Sequence, residues 1–134
     1  MIKIVKTSLA LYILIAAFSL PVFGEMLRCA QCGMMVDINS KFAAKEVQGD
    51  TTRYFCDIGD LLVYLNKKGL KDAPTEVRDY VSGAWIDARK AFYVASESKF
   101  KTPMGWGIAA FKDKESASLS GSPMDFDTAS QKIK

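Results

Sequence analysis

KFAAKEVQGDTTRYFCDIGDLLVYLNKKG, residues 41–69, decides the fold. Lys41–Val47 and Thr51–Cys56 read as strands, and Gln48-Gly49-Asp50 between them reads as a tight hairpin turn. Asp57 stands where a helix N-cap belongs. Leu61, Leu62 and Leu65 then recur on one face of a helix running to about Lys68, and Gly69 closes it. Pro74 precedes a further strand over about Glu76–Val81. The segment thus reads β-β-α-β.

The rest of the chain repeats that rhythm without repeating the sequence. Ala91–Ser96 and Gly107–Phe111 are strand-like, Asp113 caps a short helix to Leu119, Gly121 follows, and Met124–Phe126 reads as a weak last strand. Neither half can bury a core by itself. The expected class is therefore α+β, with two small ββαβ-type halves packed together in one compact unit. Residues 26–40, which hold two cysteines with Gly33, Asn39 and Ser40, read as a loop.

Upstream, Lys3 and Lys6 precede an apolar run from Ser8 to Leu20, and Pro21 breaks it. Val22-Phe23-Gly24 then places small residues where a signal peptidase would cut before Glu25. Residues 1–24 are expected to be a signal peptide, or an uncleaved anchor, since Thr7–Gly24 carries no charge. Residues 25–134 then form the domain, exported to an oxidising compartment. No Leu-small-small-Cys lipobox precedes Cys29.

From residue 25 onward, 16 basic residues face 15 acidic ones, so the concentrated positive face of a nucleic-acid binder is not expected. The chain has no histidine. That excludes His-based acid–base catalysis, Ser/His and Cys/His nucleophiles and His-ligated metals. The carboxylates show no paired catalytic arrangement, and no enzymatic activity is expected. Sulfur is abundant, with three cysteines and six methionines.

Cys29-Ala30-Gln31-Cys32-Gly33-Met34-Met35-Val36 carries the chemistry. Two cysteines at this spacing can form a structural disulfide, cycle as a redox pair, or bind a soft metal as thiolates. A c-type haem needs His where Gly33 stands. A thiol-disulfide oxidoreductase needs a helix after the second cysteine, and no amphipathic pattern follows. Structural zinc prefers four Cys or His ligands, a set that three cysteines leave incomplete without a carboxylate or a second chain. Methionine thioethers favour Cu(I), and their weak, exchangeable binding suits a carrier that must release its metal. Gly33 lets the sulfurs of Cys32 and Met34 turn to one side. Met104, between Pro103 and Gly105, belongs to a turn and is expected to be exposed, either as a further thioether ligand or as a plain surface methionine. Cys56 reads either as a buried free thiol, as a third ligand or as a disulfide partner.

Cys32-Gly33-Met34-Met35-Val36, Tyr54-Phe55-Cys56-Asp57 with Asp60-Leu61-Leu62, Tyr80-Val81 with Trp85-Ile86-Asp87-Ala88, Ala91–Ser96, and Pro103-Met104-Gly105 with Ala110-Phe111 follow in one order. This order resembles the NosL family, accessory proteins of nitrous oxide reductase, from about Cys29 to Phe126. The resemblance implies an exported Cu(I)-binding chaperone that supplies a copper-accepting enzyme together with a membrane transporter complex in the periplasm. It implies Cys32 and Met34 as copper ligands from the Cys-Gly-Met motif and Met104 from the Met-Gly turn. Cys29, which makes a Cys-x-x-Cys pair, is expected as an auxiliary ligand. A Cys-x-x-Cys oxidoreductase and an inert disulfide-stapled module are the competing readings.

Overall fold

The computed structural model describes residues 27–70 and 72–133. The expected leader, residues 1–24, lies outside the described residues. Among those described, no helix is long and apolar enough to cross a membrane.

Strands β1 (Ala44–Gln48) and β2 (Thr51–Phe55) form the expected hairpin, with Ala44 opposite Phe55 and Gln48 opposite Thr51. Helix α1 (Ile58–Lys68) follows at once. The Asp57 carboxylate accepts the Gly59 N–H at 3.1 Å, meeting one of the amide donors that a helix start leaves open. Gly69 ends α1 at φ 66°, a left-handed conformation that glycine adopts without penalty. Strands β3 (Thr75–Arg78) and β4 (Trp85–Asp87) complete an antiparallel sheet in the order β2-β1-β3-β4. Ala44, Glu46, Thr75 and Val77 alternate onto its buried face. The helix sets Ile58, Leu61, Leu62 and Leu65 into the core.

In the second half, β5 (Phe92–Ala95) pairs antiparallel with β6 (Ile108–Phe111), and α2 (Lys114–Ser118) follows. The chain then returns antiparallel alongside β5, as β3 does alongside β1, but only through one bridge between Tyr93 and Met124. The expected strand over Met124–Phe126 is not formed. Asp125 instead accepts the Thr128 N–H at 2.7 Å and starts helix α3 (Phe126–Lys132), which buries Phe126 and Ala129. A local cap thus overrides a three-residue strand signal. The short strand β4 was not expected. The Trp85 ring on it has the Lys45 ammonium and the Arg78 guanidinium 4.4 and 4.0 Å from its centre.

One core joins the halves, with Phe55, Leu61 and Val77 from the first meeting Tyr93, Ile108, Ala110 and Phe126 from the second. Asp79 stitches the seam. Its carboxylate accepts the Ser82 N–H and hydroxyl and, across the halves, the Lys112 N–H at 3.1 Å, while the neighbouring Tyr80 N–H reaches the Ala110 carbonyl.

Candidate metal centre

The loop that carries Cys29 and Cys32 is a tight finger. Arg28 and Met35 bridge antiparallel across its base, and the Cys29 N–H bonds the Met34 carbonyl at 2.7 Å. Gly33 turns the tip at φ 78°, a conformation that side chains disfavour. Cys29 also bridges Tyr54 on β2, and the Ala30 N–H reaches the Tyr54 carbonyl at 3.0 Å. The finger therefore lies beside the end of β2. There Cys56 leaves the strand, and Asp60 follows four residues later, in the first turn of α1.

Four side chains meet at this point. The Sγ atoms of Cys29, Cys32 and Cys56 and a carboxylate oxygen of Asp60 all lie within 4.8 Å of one another. The Cys29 thiol donates to Asp60 Oδ2 at 3.3 Å and the Cys56 thiol to the same oxygen at 3.6 Å, while the Cys32 and Cys56 sulfurs are 3.4 Å apart. Cys29, Cys56 and Asp60 are buried, and Cys32 is half-buried, the most accessible of the four. All three cysteines are free thiols.

The surroundings disfavour ionisation of two of these thiols, Cys32 and Cys56. Burial pushes Cys32 up to about 11, against the pull of the Met34 N–H on its sulfur. Burial also raises Cys56, and the adjacent Cys32, Cys29 and Asp60 add to the shift. An oxidoreductase nucleophile needs the opposite, a depressed thiol pKa at a helix N-terminus. The finger is followed by the Met35 bridge and not by a helix.

The second predicted loop comes to the same place. Between β5 and β6 the chain runs through Thr102-Pro103-Met104-Gly105-Trp106 and docks on the start of α1. The Met104 N–H donates to Asp57 Oδ2 at 3.0 Å, and the Trp106 indole N–H donates to Asp60 Oδ1 at 2.9 Å. The Thr102 hydroxyl also bonds Asp57, whose carboxyl burial holds above the usual carboxylate value despite these bonds. Trp106 lies directly over Gly59, leaving no room there for a Cβ. The methionine side chains remain accessible, Met34 at 49% and Met104 at 42%. The structure thus gathers Cys29 and Cys32 with Cys56 and Asp60, and ties the Met104 backbone to the same helix start. Asp60 was not anticipated, although it lies only four residues after Cys56, in the first turn of the helix that follows it.

The fold and this cluster define a class: a small α+β protein that gathers three thiols and a carboxylate where a strand passes into a helix. A family model described as NosL matches residues 23–119, and the chain belongs to the NosL family. Among solved structures, it is similar to the crystal structure of the copper chaperone NosL from Shewanella denitrificans. The two are 23% identical, with a TM-score of 0.59 over 75% of this chain and 87% of that one. Among curated proteins, none matches this chain.

Proposed function

We propose that this protein is a Cu(I) carrier of the periplasm, exported by its leader, that delivers copper for the assembly of nitrous oxide reductase or a related copper enzyme. It would act beside a membrane transporter complex and carry out no catalysis of its own. The observation that carries this reading is the convergence of three free thiols within 4.8 Å in a NosL-family chain. Sulfur-only coordination suits a soft d10 ion. The solved relative is itself described as a copper chaperone.

In this reading Cys32, the most accessible of the cluster, is the anchoring thiolate. Cys29 and Cys56 offer buried thiolates behind it, and Met34 and Met104 supply exposed thioethers. Each thiol that takes Cu(I) gives up its proton, so uptake releases acid and loading strengthens as pH rises. Delivery would be ligand exchange. An acceptor sulfur or imidazole enters beside Cys32 as a thioether leaves, and the thiolates follow with protons taken from solvent.

The test is anaerobic titration of the reduced protein with Cu(I) against a chromophoric chelator. One-to-one binding, weakened about tenfold or more by Cys32→Ser and measurably by Met104→Ala, is the expected result. Unchanged affinity in both variants would refute the site. Disulfide-reductase turnover lost in Cys29→Ser would favour the oxidoreductase instead.

A further inference from the structure

Three cysteines without a histidine leave a zinc site one ligand short in the sequence. The folded chain supplies the fourth donor. We propose that Cys29, Cys32, Cys56 and Asp60 form a tetrahedral Zn2+ site, with Asp60 Oδ2 as the single oxygen ligand.

The dimensions match. Zinc–sulfur bonds near 2.3 Å and zinc–oxygen bonds near 2.0–2.2 Å at tetrahedral angles require sulfurs about 3.8 Å apart and sulfur–oxygen distances of about 3.6 Å. The cluster has 3.4 Å between the Cys32 and Cys56 sulfurs, and 3.3 and 3.6 Å from Asp60 Oδ2 to Cys29 and Cys56. No donor atom lies more than 4.8 Å from another. Closing on an ion therefore calls for side-chain shifts of about an ångström or less, with no rearrangement of the backbone.

Asp60 is built as a ligand would be. It is 3% exposed, and its Oδ1 holds the Trp106 indole N–H, leaving Oδ2 facing the sulfurs. A hydrogen bond of this kind to the outer oxygen of a ligating carboxylate fixes which oxygen meets the metal. Charge points the same way. Three thiolates beside a buried carboxylate favour a divalent ion over a monovalent one, and a carboxylate oxygen suits Zn2+ far better than Cu(I). Calcium and magnesium, which need oxygen cages, are excluded by the sulfurs.

Zinc and the proposed Cu(I) cargo would share the three sulfurs and differ in the rest: Asp60 for zinc, Met34 and Met104 for copper. The two ions would compete, and zinc would occupy the inner cluster without the methionines. The zinc inference does not depend on the copper reading.

Two measurements test it on the reduced full chain. The first is zinc-edge X-ray absorption of the one-to-one Zn2+ complex, with three sulfurs and one light ligand expected. A shell dominated by nitrogen or oxygen, or no stoichiometric binding, overturns the proposal. The second is competition of Zn2+ and, separately, Cu(I) against chromophoric chelators for the parent and Asp60→Asn. Asparagine can still accept the Trp106 N–H, and a thermal melt verifies its fold. The ratio of Zn2+ to Cu(I) affinity should fall about tenfold or more, and an unchanged ratio overturns the assignment of Asp60. If Asp60→Asn does not fold, Co2+ in the parent decides the geometry. Tetrahedral d–d bands with thiolate charge transfer support the site, and an octahedral spectrum overturns it. Loss of Cu(I) binding with zinc retained would sink the carrier reading alone.

Discussion

Gly59→Ala gives the sharpest test of how the two site-bearing loops are joined. By helix propensity alone, replacing a glycine in the first turn of α1 by alanine stabilises by about 1 kcal/mol. The structure predicts the reverse. An ideal Cβ on residue 59 would lie 2.0, 2.3 and 2.6 Å from Cγ, Cδ1 and Cβ of Trp106. Carbon atoms pack at about 3.5–4.0 Å, so the indole must retreat by roughly 1.5 Å. That movement takes its N–H, now 2.9 Å from Asp60 Oδ1, out of hydrogen-bonding range. Losing a hydrogen bond to a buried carboxylate costs about 1.5–3 kcal/mol. Against the propensity gain, the net expectation is a loss of about 0.5–2 kcal/mol, at roughly 4–8 °C in melting temperature per kcal/mol. Thermal unfolding measures this. In a Trp85→Phe background Trp106 is the sole indole, and its emission should shift to the red as it leaves Gly59. A variant that melts higher, with unchanged emission, would refute the docking of Trp106 on α1.

Two further outcomes follow from buried carboxylates. Burial alone would raise the Asp79 carboxyl, but the Ser82 hydroxyl and the Lys112, Ser82 and Val81 N–H groups outweigh it and hold it below its ordinary 3.8. A lowered folded pKa contributes stability above pH 3.8 that is lost as pH falls through the range beneath. Asp79→Asn should therefore destabilise at neutral pH, with the gap to the parent closing in acid, as followed by urea unfolding. A gap independent of pH would contradict the assignment. Glu46 is fully buried, its Oε2 paired with Arg53 at 3.3 Å and its Oε1 without a partner among the described residues. Arg53→Met strands that charge and should cost about 2–3 kcal/mol, while Glu46→Met should be close to neutral. Equal losses in urea midpoint would count against the pairing.

The first half was legible because its signals are local and mutually consistent. The turn at Gly49, the cap at Asp57, the leucine stripe and the stop at Gly69 all act within a few residues of where they are read. The end of the chain was not. Pro123-Met124-Asp125-Phe126 offers a strand three residues long, too weak to outcompete the cap that Asp125 makes with Thr128. Strand β4 is equally short, and Trp85 is held on it by Lys45 and Arg78, residues distant in sequence.

The site divides along the same line. Composition alone removed histidine chemistry and left sulfur, and the two turn motifs marked Cys29, Cys32, Met34 and Met104 as candidates. What no spacing could show is that Cys56, 24 residues after Cys32, has its sulfur 3.4 Å away, or that Trp106 reaches back 46 residues to Asp60. Residue types and turn chemistry are properties of short segments, so the sequence determined which chemistry was available and which loops could present it. The assembly of four donors around one point depends on how β2, α1 and the β5–β6 loop pack. That packing is set by the burial of side chains from both halves in one core, which the tertiary structure alone decided.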